Sequence, residues 1–390
     1  MDFRFSARTG WDVGESGFAK AIREARASGR PLLDLTVSNP TVCGFEYDVE
    51  EILAPLGDVR AMTYDPDPRG MRSAREAVAG YYADHGAAVD PDSVVMTTST
   101  SEGYGYLFRL LCDAGDEVLV AQPSYPLFDF LADLEDVRLK SYPLFYDYGW
   151  WIDFAELERR IGPRTRAIVV VHPNNPTGHG TKAAERARLE EICARHGLAL
   201  IVDEVFLDYP IEEGEELRSF AVGPHPVLTL VLSGMSKISG LPQMKAGWIV
   251  GLGPHAVRLE AMGRLEVIAD TFLSMNAPVQ LALPVWLARR KGIQGQILGR
   301  VRENYSAAVG CGLQVLRLEA GWSAILRLPQ IGADEVAGRL LRELDVIVHP
   351  GSFYGIAEGG RAVVGLIGPA GEFAAGLRRI EEANRLNQSG

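Results

Sequence analysis

The chain has 390 residues, of which 47% are hydrophobic, and a formal net charge of −12. This length allows a large core and more than one domain. An acidic chain without a block of lysines and arginines is a poor candidate for binding nucleic acid or an anionic membrane surface, so neither partner is expected.

The opening residues and the cysteines favour a cytoplasmic protein. The start, MDFRFSARTG, has no apolar signal segment, and no apolar run approaches the roughly 18 residues that a membrane span needs. The four cysteines are scattered and form no CxxC pair, which favours a reducing compartment over a disulfide framework. No metal site is predicted.

Five short apolar runs mark the middle of the chain, at 93–98, 116–122, 165–173, 198–204 and 227–233. Most are nearly continuous and rich in β-branched residues, as is typical of strands buried on both faces. Amphipathic stretches between them, such as 102–115 and 182–197, predict helices. The alternation predicts an α/β fold with a mainly parallel sheet covered by helices.

The C-terminal part has a different pattern. Residues 276–312 predict one long helix, and a mixture of strand and helix patterns follows it. We therefore expect a large domain at 46–275 and a smaller α/β domain formed by 276–390 with the N-terminal segment 1–45.

Ligands of parallel sheets gather at the carboxyl ends of the strands, so the residues after each run are candidates. Ser99 and Glu102, after the first run, have capping-box spacing and predict a helix start. The N–H groups of Thr100 and Ser101 would then form an anion site, unless the helix is simply capped.

An aromatic residue follows the second apolar run, and a turn follows the third. Tyr125 lies between two prolines, and its ring could stack on a flat ligand or pack in the core. Asn174 and Asn175 begin an NNPTG turn. Turn formation alone explains most such clusters, but a held amide could also bind an outside partner.

Charged residues lie at the ends of the last two apolar runs or shortly after them. Asp203 ends a buried strand and needs a partner, which could be a salt bridge, a helix cap or a protonated ring nitrogen. The stretch LSGMSKISGLPQMKAGW (232–248) holds two of the chain's six lysines, Lys237 and Lys245. A lysine at this edge could form an imine with an aldehyde, although most lysines are simply solvated.

Together these features match the phosphate, ring, phenolic oxygen, ring nitrogen and aldehyde of pyridoxal 5′-phosphate. NNPTG, VDEVF and SGMSK, in this order, resemble the class I/II aminotransferases of the fold-type I family related to aspartate aminotransferase, over roughly 31–380. The resemblance implies a ping-pong transfer of an amino group from an amino acid, or a related amine, to a 2-oxo acid.

The resemblance also implies roles for individual residues. Lys237 would form the Schiff base and move the proton, and Asp203 would pair with the ring nitrogen. Tyr125 would stack on the ring, and Asn175 would bind the phenolic oxygen beside Phe206. The remaining implied contacts are to the phosphate, through Ser99, Thr100, Ser101, Ser233, Ser236, Lys245 and Tyr64, and to the substrate, through Ser38, Asn39, Asn175 and Arg361. Tyr64 would act from the neighbouring subunit, which implies a homodimer with shared active sites.

Three positions depart from the family pattern. Lys245 stands where the family usually has a phosphate-binding arginine, and Phe206 stands where it often has a tyrosine. The arginine that binds the substrate carboxylate would fall at Val363 or Val364, and Arg361 is offset from that position. Either the loop shifts and Arg361 serves, or the carboxylate is bound by other groups.

Two other functions stay open on the sequence. The nearer alternative is a lyase or decarboxylase that uses the same cofactor, because fold does not determine reaction. The remote alternative is a non-catalytic, cofactor-sensing domain of a regulator.

Overall fold

The structure is a computed structural model that describes residues 3–212, 217–328, 336–356 and 358–388. Its helices are α1 (Gly17–Ala27), α2 (Val49–Leu53), α3 (Arg72–Asp84), α4 (Thr100–Leu111), α5 (Leu127–Leu134), α6 (Phe154–Arg160), α7 (Ala183–His196), α8 (Met235–Ile238), α9 (His255–Phe272), α10 (Ala277–Gly310), α11 (Val336–Leu344) and α12 (Ala370–Gln388). Its strands are β1 (Leu33–Asp34), β2 (Val94–Thr97), β3 (Glu117–Gln122), β4 (Arg138–Tyr146), β5 (Trp150–Ile152), β6 (Thr165–Val171), β7 (Ala199–Asp203), β8 (Thr229–Gly234), β9 (Gly247–Leu252), β10 (Gln314–Val315), β11 (Ser323–Arg327), β12 (Val346–Ile347), β13 (His349–Pro350) and β14 (Arg361–Gly365).

An eight-stranded sheet forms the centre of the molecule, in the order β2-β9-β8-β7-β6-β3-β4-β5. The five strands from β8 to β4 pair in parallel, whereas β9 is antiparallel to both of its neighbours and β5 is antiparallel to β4. All five apolar runs form strands of this sheet. The expected α/β fold with a mainly parallel sheet is confirmed.

Both faces of this sheet are covered by helices because its inner strands are apolar on both sides. On β7, Ile201 packs on the side of α4, α5 and α9. Leu200 and Val202 pack on the opposite side, against α3, α7 and α10. The carboxyl ends of the parallel strands are left at one edge, where the polar residues of the candidate site begin.

A second sheet lies in the C-terminal part, with the antiparallel order β10-β11-β14-β13. Ala362 and Val364 on β14 pack into a core with α10, α11 and α12. Between them Val363 faces the other way, toward the main core. N-terminal β1 pairs with β12, so the first part of the chain joins this unit. The proposed domain boundaries stay a prediction.

The long helix α10 has 34 residues and confirms the pattern at 276–312. Its first half packs on the main core and its second half on the C-terminal core. Within the described ranges, no helix has both the length and the apolar composition required to cross a bilayer.

Candidate active site

Asp203 is the last residue of β7, and only 7% of it is exposed. Its carboxylate accepts hydrogen bonds from the Tyr104 hydroxyl at 3.2 Å and from the Val205 N–H at 3.1 Å. Burial raises the pKa of Asp203 to about 6, and the bonds from these donors and the charge of Lys237 oppose that rise. A carboxylate in this setting is suited to a cationic N–H partner.

Lys237 lies on α8, which follows β8 directly. Because β7 and β8 pair in parallel with Asp203 opposite Leu232, the aspartate and the lysine share one sheet edge. Burial lowers the pKa of Lys237 to about 8, partly offset by Asp203. A lysine of lowered pKa has more free amine near neutral pH and is a better nucleophile toward an aldehyde.

Aromatic rings form one wall around the lysine. The Lys237 amine is 4.8 Å from the Trp322 ring centroid and 5.5 Å from that of Phe206. The hydroxyl of Tyr209 donates to the Lys237 backbone carbonyl at 2.6 Å. Phe206 has no hydroxyl to offer a ligand, so it contributes only an apolar ring.

The start of α4 has the predicted cap. Ser99 Oγ accepts from the Glu102 N–H at 3.1 Å, and the Glu102 carboxylate accepts from the Thr98 N–H at 2.6 Å. In the usual capping box the glutamate bonds the N–H of the N-cap residue itself, whereas here it bonds the N–H of the residue before the cap. The first-turn N–H groups of Thr100 and Ser101 have no acceptor within the helix, as in any helix start.

Strand β9 brings the start of α4 together with the lysine stretch. Gly247 pairs with Thr97 on one side and with Gly234 on the other. A Cβ on Gly247 would lie 3.0 Å from the Ser99 carbonyl carbon, so a larger residue would push these two segments slightly apart. Lys245, two residues before Gly247, is exposed and has a left-handed backbone with φ of 53°.

These groups fit pyridoxal phosphate by their chemistry. The helices α4 and α8 begin after strands that both pair with β9, and Lys245 lies two residues before β9, so helix N–H groups and a lysine are available at one end of the sheet, as a phosphate requires. Asp203 lies deeper, where a ring nitrogen could reach its carboxylate, and Lys237 offers a free amine. These groups together offer a partner for the phosphate, the ring nitrogen and the aldehyde of the cofactor.

The NNPTG turn is held by Asn174. Its Oδ1 accepts from Thr177 Oγ1 at 2.8 Å, and its N–H donates to the His179 carbonyl at 2.9 Å. The base of the turn is tied to β7, because the His172 N–H donates to the Asp203 carbonyl at 2.8 Å. Asn175, which is half-buried, takes no part in these bonds among the described residues.

The two serines near Lys237 differ in position. Ser233 is buried on β8, and its hydroxyl donates to the Glu204 carbonyl at 3.4 Å, within the core. Ser236 is half-buried on α8, one residue before Lys237. Ser236 is therefore the better placed of the two for a ligand at this edge.

Two tyrosines predicted for the cofactor lie on the surface of this chain. Tyr125 is 45% exposed and lines a cavity of about 300 Å³ together with Gln122, Phe353 and Tyr354. Tyr64 is 80% exposed, and its predicted role would require a second subunit.

The predicted substrate residues are less closely tied to the site. Ser38 and Asn39 are exposed, and Asn39 Oδ1 caps its own turn by accepting from the Thr41 N–H at 3.1 Å. Arg361, at the start of β14, pairs with the Glu358 carboxylate and lies 3.4 Å from the Gly359 carbonyl. Val363, paired with Ile325, lies on the side of β14 that faces the main core.

Tyr104 and Trp322 are site residues that the sequence patterns missed. Tyr104 lies one helical turn after Thr100, so its spacing could have suggested a second polar contact at the start of α4. Trp322 reaches Lys237 from the C-terminal part, and no local pattern connects two residues so far apart. In the described part of the chain, no cluster of three or more metal-binding side chains occurs.

Comparison with known proteins agrees with this geometry. The family model "Aminotransferase class I and II" matches residues 33–369. Alanine aminotransferase of Mycobacterium tuberculosis is 28% identical over 321 residues, covering 80% of this chain and 71% of the relative. Glutamate–pyruvate aminotransferase of Escherichia coli is 28% identical over 292 residues, covering 74% of this chain and 72% of that protein.

Solved structures share the fold along the whole chain. Alanine aminotransferase from Pyrococcus furiosus superposes with a TM-score of 0.86 at 22% identity, covering 98% of this chain and 100% of that one. A Thermus thermophilus aspartate aminotransferase gives 0.84 at 22% identity, with coverage of 98% and 100%. The chain therefore belongs to the class I and II aminotransferase family of fold-type I enzymes and transfers amino groups.

Proposed function

We propose that this chain binds pyridoxal 5′-phosphate at the corner between β7, α8 and the start of α4. There it would move an amino group from an amino acid, or a related amine, to a 2-oxo acid in a ping-pong sequence. The observation that carries the proposal is the buried Asp203 beside an amine of lowered pKa, Lys237, at neighbouring strand ends. Once bound, the cofactor supplies an aldehyde and an electron-withdrawing ring.

The two central residues would have separate tasks. With a pKa of about 6, Asp203 is largely ionised at neutral pH and can hold a proton on the ring nitrogen. With a pKa of about 8, part of Lys237 is unprotonated, and its amine would hold the cofactor by condensing with the aldehyde and releasing water. The Lys237 amine would also be the base that takes up the proton of the substrate Cα.

The phosphate would lie at the start of α4. The N–H groups of Thr100 and Ser101 would donate to it, and Lys245 and Ser236 would add a charge and a hydroxyl. Asn175 would bind the phenolic oxygen, and Tyr125 would stack on the ring. Ser38, Asn39 and Arg361 are proposed on the substrate side.

We also propose a cytoplasmic homodimer in which Tyr64 completes the neighbouring site. The support is an exposed apolar surface beside Tyr64, where Met62 is 87% and Val59 is 80% exposed. The four cysteines are free thiols, as is usual in a reducing compartment.

The names of the relatives suggest small donors and acceptors, and we propose alanine, glutamate and pyruvate as first candidates. The same relatives favour transfer over the lyase or decarboxylase alternative and over a non-catalytic sensor.

A half-reaction experiment tests the proposed function. The cofactor-loaded protein is mixed with each amino donor alone, and the cofactor absorbance is followed. Transfer predicts complete conversion of the aldehyde form to the amine form by at least one donor, without ammonia release. Release of ammonia or carbon dioxide without that conversion would instead indicate a lyase or decarboxylase.

A further inference from the structure

The segment 318–322, which leads from β10 into β11, is bonded to the main sheet unit by its backbone. The Ala320 N–H donates to the Gly178 carbonyl at 3.1 Å, and the Gly321 N–H donates to the Tyr209 carbonyl at 2.9 Å. In return, the Glu319 carbonyl accepts from the Ile211 N–H at 2.9 Å. The segment is thus held between the NNPTG turn and the chain that follows Asp203.

Gly178 makes this close approach possible. Its φ is 69°, and a Cβ there would lie 2.6 Å from the Ala320 carbonyl oxygen and 2.0 Å from a methyl group of Leu318. Any larger residue would push the segment away from the turn.

Glu319 is the charged anchor of the segment. One carboxylate oxygen accepts from Lys182 Nζ at 2.9 Å and from the Gly180 N–H at 2.9 Å. Lys182 Nζ also contacts His179 Nδ1 at 2.9 Å and the Trp150 carbonyl at 3.1 Å. The other ring nitrogen of His179 lies 3.1 Å from the Glu185 carboxylate, so these charges form one connected cluster.

Trp322 lies three residues beyond this anchor and is only 3% exposed. Its ring meets Phe206 and Tyr209 edge-on, with centroid distances of 5.5 and 5.0 Å, and lies 4.8 Å from the Lys237 amine. No acceptor in the described part of the chain bonds its indole N–H. The position of the ring is therefore set by packing and by the backbone that carries it.

We propose that Glu319 is a positioning residue for the lysine. Glu319 holds the segment 318–322 on the main sheet unit through its bonds to Lys182 and Gly180. The Trp322 ring therefore stays against the Lys237 amine and excludes water from that amine. The inference deepens the proposed function, because Lys237 matters here as the residue that binds the cofactor.

The ring has two opposing effects on the amine. It excludes water, which disfavours the charged form, and its π face attracts an ammonium group. Burial is the larger influence on Lys237, and Asp203 is the charged group that opposes it. Loosening the segment should therefore let water reach the amine and return its pKa toward the ordinary value of a lysine.

The test is a titration of Lys237 in the full chain freed of cofactor. The rate at which an acylating reagent modifies Lys237 is measured by peptide mass spectrometry from pH 6 to 11. Compared with the wild type, Glu319→Ala should raise the apparent pKa of this lysine by about one unit. Glu319→Gln should give a smaller rise, because its amide oxygen still accepts from the Gly180 N–H.

The matched control is Glu212→Ala, which removes an exposed carboxylate that pairs with Arg317 at 3.5 Å between the same two parts of the chain. It should titrate like the wild type. Lys182→Met is a second variant in case Glu319→Ala does not fold, as judged by circular dichroism. Folded Glu319 and Lys182 variants whose Lys237 titrates like the wild type would overturn the proposal. Since no cofactor is present, this result is independent of whether the proposed function holds.

Discussion

Asp203 and Lys237 lie at the ends of neighbouring parallel strands, and burial shifts the pKa of each toward neutrality. The carboxylate rises to about 6, and the amine falls to about 8. Between these values the aspartate is ionised while most of the lysine is still protonated. The rate at which the cofactor-free chain takes up pyridoxal phosphate at Lys237, followed by the cofactor absorbance, should therefore increase from pH 6 to pH 8, as the free amine becomes available.

At the residue scale, Lys245 has a task different from that of Lys237. It is exposed and lies two residues before Gly247, which pairs with the strand ends that lead into α4 and α8, so a point charge there would attract a phosphate. Lys245→Ala should weaken cofactor binding about 10- to 100-fold, the usual cost of losing a charged hydrogen bond. Lys245→Arg should bind nearly as well as the wild type.

Equilibrium dialysis with pyridoxal phosphate measures this effect. Lys20→Ala is a suitable control, because Lys20 is an exposed lysine on α1 that lies 3.9 Å from Glu24. An unchanged cofactor affinity in Lys245→Ala would remove this lysine from the site.

At the element scale, the start of α4 combines a structural cap with an anion site. Ser99→Ala removes the acceptor for the Glu102 N–H and should cost about 1 kcal/mol of the free energy of unfolding. It should also weaken cofactor binding, because the first turn would no longer be held in place.

The cap of α1 separates these two effects. Ser16 Oγ accepts from the Ala19 N–H at 3.1 Å, far from the site in sequence, so Ser16→Ala should lower stability and leave cofactor affinity unchanged. Urea unfolding and dialysis give the two quantities. Equal losses of cofactor affinity in both variants would mean that α4 has no special role.

The strands could be predicted from the sequence where both of their faces are buried. The runs that became β6, β7 and β8 are apolar on both faces, so their patterns are unambiguous. β4 is only partly buried and has no regular apolar alternation, so it was missed. β9 was not predicted, although GWIVGL is wholly buried, because it is a short run that begins only at the end of the lysine-containing stretch 232–248.

At the scale of the whole molecule, local motifs predicted most of the candidate site but not what surrounds it. Ser99 and Lys237 come after apolar runs and Asp203 lies at the end of a strand, so strand topology alone brings them to one edge. Trp322 and Glu319 arrive from the C-terminal part by tertiary packing, which leaves no signal in spacing or composition. The proposed substrate residues on β14 depend on the same packing. The pairing of β14 with β11 places Val363 on the side that faces the main core.

The proposed homodimer can be tested by mixing two inactive variants. If Tyr64 completes the neighbouring site, a dimer of one Lys237→Ala chain and one Tyr64→Ala chain has one site with neither change. Mixing and refolding the two should then recover part of the amino transfer activity. Mixed dimers that form, as seen by tagged co-purification, but remain inactive would contradict a shared site.

The most direct measurement asks which lysine holds the cofactor. The protein loaded with pyridoxal phosphate is reduced with borohydride, digested and examined by mass spectrometry, and the six lysines of the chain are compared. The account predicts the added cofactor mass on Lys237 alone, and its loss in Lys237→Ala. Attachment at Lys245 or elsewhere, or no attachment to a folded, loaded protein, would contradict it.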